Sequence, residues 1–150
     1  MRDTINTSLV AAVKAQDRRR MCTLRLINAA IKDRDIEARG HGRTGGIADD
    51  EVLQLLQKMI KQRDESAKIY QDAGRAELAE QEREEAEIIK GFLPRQMDDA
   101  ETRDAVAGTV SEIGAAGLRD MGRTMAALKE RYAGRMDFTR ASAVVKEILA

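Results

Sequence analysis

Apolar residues recur along this chain at three- and four-residue spacing, the period of one helix face. Ile5, Leu9, Ala12 and Val13 predict a first amphipathic helix over residues 4–15. Met21, Leu24, Ile27 and Ile31 line one side of a second helix, and Cys22, Leu26 and Ala29 line another. A helix apolar on two faces is expected to lie between neighbours. Val52, Leu56, Met59, Arg63 and Tyr70, flanked by Leu55 and Ile60, predict a third helix of about six turns. It opens at Asp49, Asp50 and Glu51, whose carboxylates complement the positive end of the helix dipole. Gly74 then ends it in the left-handed conformation, and residues 76–90 return as a fourth helix with a thin apolar line of Leu78, Ala86 and Ile89, extended by Phe92.

The only proline in the sequence follows, in Phe92-Leu93-Pro94-Arg95-Gln96. Proline lacks a backbone N–H and drives the preceding residue out of helical geometry, so no helix runs through this joint. It divides the chain into residues 1–93, an antiparallel module of long helices, and residues 94–150. In the second part Asp98 and Glu101 form a capping-box-like start, with Thr102, Val106, Val110 and Ile113 as the buried stripe and Gly114 as the stop. Residues 118–132 carry Met121, Met125, Leu128 and Tyr132 on one face, read as core and not as a methionine-rich metal box. Gly134 ends that helix. Asp137 caps a last one whose Phe138, Ala141, Val145, Ile148 and Leu149 face inward. Three short helices of this kind make a bundle near the lower size limit for independent folding.

Composition supports an all-α fold. Two Phe, two Tyr and no Trp leave the core to aliphatic and methionine side chains, and 35% charged residues suit solvated helix faces. Cys22 is alone, so no intrachain disulfide forms, and its apolar neighbours suggest a small core thiol. No apolar run is long enough to span a bilayer and residues 1–14 do not read as a signal peptide, which points to the cytoplasm, with no membrane partner. The net charge of zero hides blocks: +5 over residues 1–46, −5 over 47–93, −3 over 94–117 and +3 over 118–150. Pairing of antiparallel helices accounts for such blocks; a basic face offered to an anionic partner is the sharper reading.

Several features suggest chemistry and lose it on inspection. Arg18, Arg19 and Arg20 point in directions about 100° apart on a helix, so they form the rim of a helix junction and no flat phosphate clamp. The glycine-rich stretch at residues 40–46 lacks the Gly-Lys-Ser/Thr ending of a phosphate loop and reads as a flexible linker. His41, the sole histidine, lies in that stretch without a partner, which argues against a metal site or a Cys22–His41 nucleophilic pair. Glu77, Glu80, Glu82, Glu84, Glu85 and Glu87 spread around their helix and read as an acidic face laid against the basic first block. No cofactor and no metal are expected.

Taken in order, MCTLRLINAAI at residues 21–31, IKQR at 60–63, Ala73-Gly74-Arg75 with AELAE, FLPRQ at 92–96, DMGRTM at 120–125 and Gly134-Arg135 resemble the GatB/YqeY family. The resemblance covers essentially the whole chain. It implies an elongated N-terminal helical module followed by a three-helix domain like the tail of the B subunit of the glutamine-dependent aminoacyl-tRNA amidotransferase. Through that enzyme it implies contact with tRNA, and a family-level association with carbon–nitrogen ligase activity using glutamine as amido-nitrogen donor. Ala48, standing where Ser or Thr commonly caps, and the longer glycine-rich stretch depart from the family pattern.

The resemblance and the residues together leave three functions to weigh. In the first, the chain is a non-catalytic module that touches tRNA by shape and backbone. Arg119 and Arg123 project away from the Met121/Met125/Leu128 stripe, Arg131 lies on a flank, and Arg135 and Arg140 follow. In the second it is a ligase, yet it lacks an evident nucleophile for ammonia release and an ATP-metal site. In the third it is a protein-interaction adaptor that docks through its N-terminal helices.

Overall fold

The computed structural model describes Met1–Ala150, and every regular element in it is helical, as the composition predicts. The chain forms two compact units, Met1–Leu93 and Pro94–Ala150.

Unit 1 contains α1 (Arg2–Lys14), α2 (Arg18–Gly40), α3 (Asp49–Asp72) and α4 (Ala76–Lys90). The turn between α1 and α2 brings Asn6 beside Asn28, whose amide donates to the Asn6 carbonyl oxygen at 3.1 Å. Gly74 takes φ +74° and lets the Arg75 N–H donate to the Tyr70 carbonyl at 2.8 Å, so α4 runs back along α3. Ile5, Leu24, Ile27, Val52, Leu56 and Ile89 are fully buried where α1, α2 and the α3–α4 hairpin meet. Between Ile60 and Ala86, at the turn end of the hairpin, only Ala67 and Ala79 are buried, two small residues that let the helices approach closely.

Four sequence expectations are corrected in unit 1. Cys22, Leu26 and Ala29 are exposed, because α1, α3 and α4 all pack on the opposite face of α2, at Thr23, Leu24, Ile27 and Ile31. Val13 is exposed, and α1 buries Ile5 and Ala12 alone. On α4 it is Ala79 that is buried, while Leu78 faces outward. The glycine-rich stretch is no loose linker. Arg43 donates to both Glu51 oxygens at 2.5 and 3.1 Å, and Asp35 accepts from the Ile47 N–H at 2.9 Å just past Gly46. Gly46 itself, at φ +80°, leaves no room for a side chain: a Cβ there would lie 2.7 Å from an Asp35 oxygen. His41 is exposed.

The acidic helix α4 does meet basic partners. Arg19 approaches Glu84 at 3.5 Å, and Arg63 of α3 donates to Glu85 at 3.2 Å with both side chains nearly nine-tenths covered.

Unit 2 contains α5 (Asp99–Ile113), a 3-10 turn (Leu118–Asp120), α6 (Met121–Tyr132) and α7 (Phe138–Leu149). The capping box forms in full, with the Glu101 N–H donating to Asp98 and the Asp98 N–H to Glu101. Gly114 stops α5 at φ +68°. Val106, Leu128, Met136, Ala141 and Val145 make the core. Thr124 is the buried partner of Leu128 on α6, whereas Met121, Met125 and Tyr132 are half-buried around it. The Thr124 hydroxyl satisfies itself by donating to the Asp120 carbonyl at 2.8 Å, which lets a polar residue lie deeper than the methionines expected there. Val110 and Ile113 are likewise half-buried, and Thr109 is buried in their place.

Candidate nucleic-acid interface

Five arginines define the surface that the sequence nominates for a nucleic acid: Arg119, Arg123, Arg131, Arg135 and Arg140. Arg119 leaves the 3-10 turn into solvent and forms no ion pair. Arg123, one turn later, points back to α5, donating to the Ile113 carbonyl at 3.0 Å and lying 3.5 Å from Asp120. A cation on the last carbonyls of a helix stabilises its negative end. Arg131 donates to Glu112 at 2.6 Å, and this bond raises its pKa from the ordinary arginine value. Arg140 pairs with Asp99 and lies 3.8 Å from Asp137. Arg135 is exposed without an ion pair, while its carbonyl accepts the Met97 N–H at 2.8 Å.

Three of the five divide by the end of α5 that they serve. Arg123 and Arg131 touch Ile113 and Glu112 at its C-terminus; Arg140 touches Asp99 at its N-terminus. Fourteen residues of helix separate Asp99 from Ile113, about 21 Å at 1.5 Å per residue. Those three hold hydrogen-bonded partners, whereas Arg119 and Arg135 act on Asp120 and Glu101 through charge alone.

The motifs that carry the family resemblance have structural work here that sequence reasoning missed. The Gln96 amide donates to the Pro94 carbonyl at 3.0 Å and to the Gly134 carbonyl at 2.5 Å, so FLPRQ and Gly134-Arg135 close on one another. Arg95 grips Glu101 through two hydrogen bonds, at 2.7 and 3.3 Å, and holds that carboxyl below its usual range. In DMGRTM, Asp120 accepts the Ala116 N–H at 2.9 Å, which lowers its pKa, and Arg123 and Thr124 complete the turn from α5 to α6. In IKQR, Arg63 ties α3 to α4.

Elsewhere the chemistry-bearing groups stay apart. Cys22 and His41 stand at opposite ends of α2, about 28 Å apart by helix rise, so no imidazole reaches the thiol. No three His, Cys, Asp or Glu side chains gather as metal ligands do. A shallow cleft of roughly 300 Å³ lies between α2 and α3, lined by Arg34, Ile47, Glu51, Gln54, Leu55 and Lys58. No helix is long and apolar enough to cross a membrane.

These features define a small, all-helical, two-unit module whose family-like motifs close turns and clamp helices. The chain belongs to the YqeY-like protein family, whose model matches residues 2–149. It is also similar to a protein of Clavispora lusitaniae (strain ATCC 42720) named "Altered inheritance of mitochondria protein 41, mitochondrial", with 32% identity over 113 residues. That match covers 73% of this chain and 62% of the relative, so the chain spans less than two thirds of the curated relative's length.

Proposed function

We propose that this YqeY-type chain acts by binding and not by catalysis, and that unit 2 contacts the phosphates of a folded RNA of the tRNA type. The observation that carries the reading is the pair Arg119 and Arg135, exposed cations of unit 2 that hold no carboxylate by a hydrogen bond and act on Asp120 and Glu101 only through charge. Cations on a packed bundle contact phosphate without reading bases, which suits recognition by shape. Resting on these two arginines, with no tryptophan to stack on bases, the interaction is weak and salt-sensitive. Glutamine-dependent amide transfer calls for a nucleophile to release ammonia and a nucleotide–metal site to activate the acyl group. The isolation of Cys22 from His41 supports assigning any carbon–nitrogen ligase association to a larger complex. Its lone exposed thiol suits a reducing compartment, and we place the protein in the cytoplasm.

Filter binding of total tRNA at low salt tests the reading. The expected slope of log affinity against log salt is about −2, one counterion for each of the two arginines. Arg119→Glu with Arg135→Glu should abolish retention. Unchanged retention in that double variant refutes the proposal.

A further inference from the structure

Helix α2 carries a second feature, in unit 1, unrelated to the arginines of unit 2. Cys22, Leu26, Ala29, Asp33 and Ile36 follow one another at spacings of four, three, four and three, the repeat of a coiled-coil seam. The four apolar members are exposed, Leu26 to 48% and Ile36 to 57%. They run for about 21 Å on the face of α2 turned away from the core. Large aliphatic side chains in such a line on a solvated helix mark a surface that another helix covers.

Along one edge of that seam stand Arg18, Arg25, Lys32 and Arg39, each seven residues after the last. A seven-residue step is two helical turns short by about 20°, so the four form one ridge. All four are exposed and none forms an ion pair, in contrast to Arg19 on the other edge, which meets Glu84. The result is an apolar seam bordered by exposed cations that no carboxylate clamps.

We propose that this face of α2 docks an acidic amphipathic helix of a partner protein, with apolar residues in the seam and carboxylates against Arg18, Arg25, Lys32 and Arg39. Charge selects that occupant. A second copy laid antiparallel on the same face would set the ridge against itself, and like charges at flanking positions oppose pairing. An RNA would meet the ridge but gain nothing from Leu26 and Ile36, and no aromatic side chain stands among them to stack on bases.

The test uses the intact chain and two synthetic helical peptides of about four heptads with leucine at the seam positions, one with glutamate and one with lysine at the flanks. The glutamate peptide should bind at low salt, weaken as salt rises, and slow the alkylation of Cys22. Leu26→Asp with Ile36→Asp, and separately Arg25→Glu with Lys32→Glu, should each weaken binding about tenfold or more. All four positions are solvent-exposed, so circular dichroism should show wild-type helix content and melting. Equal binding of the lysine peptide, or undiminished binding by either double variant, overturns the proposal. So does a dimer of the intact chain that Leu26→Asp dissolves, or protection of Cys22 by tRNA alone, since these assign the face to a second copy or to RNA.

Discussion

Units 1 and 2 are each electrically neutral, with seventeen cations against seventeen anions in the first and nine against nine in the second, but they place those charges differently. Unit 2 mixes them. Arg95, Arg103, Arg123, Arg131 and Arg140 all find carboxylates, every pair at the surface. Unit 1 separates them, leaving a row of free cations on α2 and covering a few pairs between helices, Arg63–Glu85 above all. A net charge counted by segment therefore says little about which cations are available. Three of the seven cations in residues 118–150 are bound to α5, while none of the four ridge cations of α2 forms an ion pair, in a unit whose charge cancels.

The cores differ as well. Fourteen buried apolar residues form the cluster of unit 1 and six that of unit 2. Removing one leucine takes a larger share of the smaller core. Leu128→Ala should cost about 2–5 kcal/mol, a large part of what a domain of this size possesses. Leu24→Ala removes an equally buried side chain in unit 1 at a similar cost, from a larger reserve. Residue-resolved hydrogen exchange checks the contrast. Amides of Pro94–Ala150 should lose most of their protection in the first variant, and those of Met1–Leu93 should keep theirs in the second. Equal loss in the two would mean that the size of the core does not govern tolerance.

The next largest effect separates covered from surface ion pairs. Arg63 and Glu85 are only 13% and 12% exposed, so Glu85→Ala leaves a guanidinium sheltered without its counterion, at about 2–3 kcal/mol. Glu112→Ala in unit 2 breaks the Arg131 pair and should cost far less, because water replaces the lost partner. Urea denaturation of both variants measures the difference. Arg63→Met combined with Glu85→Leu should recover most of the loss, since apolar substitution of a covered pair is close to neutral. Failure of that recovery would make the Arg63–Met59 carbonyl bond the important contact.

Helix existence was legible in the sequence because its signals are local. The Asp98–Glu101 capping box, the Gly74 and Gly114 stops, and the limits of α4 each depend on residues within a turn of one another. Depth of burial was not legible, because periodicity identifies an apolar face without saying whether anything covers it. The Cys22/Leu26/Ala29 face of α2 has the pattern of a core stripe and no element on it, and that misreading is what the docking proposal turns to account. The arginines were legible as outward-facing residues but not as paired ones. Arg123 meets Ile113 ten positions earlier and Arg140 meets Asp99 forty-one positions earlier, partners that only the packed bundle supplies. Thr124 escaped notice because a threonine that bonds its own helix backbone can be buried as readily as valine.

The smallest effect concerns the clamp between Arg2 and Asp35, unit 1's counterpart to the Arg95–Glu101 grip of unit 2. Asp35 accepts two hydrogen bonds from Arg2, both at 2.7 Å, and one from the Ile47 N–H at 2.9 Å; together these hold its carboxyl down to about 2. An aspartate in the unfolded chain titrates near 3.9, about two units higher. The folded state thus binds fewer protons, so the stabilisation is complete above about pH 4, declines as the pH falls toward 2, and is gone below that. Both side chains are partly exposed, which limits the contribution to about 1 kcal/mol. Glu82 has the opposite sign: burial, and then the neighbouring Glu85, raise its pKa, so its ionisation opposes folding and acid relieves it. Measured against wild type, Asp35→Asn should lose that ~1 kcal/mol at about pH 6, progressively less as the pH falls toward 2, and nothing well below that, where the native carboxyl is itself protonated. Glu82→Gln should gain slightly at the higher pH and nothing at the lower. A difference for Asp35→Asn that stays constant across this range would mean that shape, and not charge, holds the glycine-rich stretch against α2.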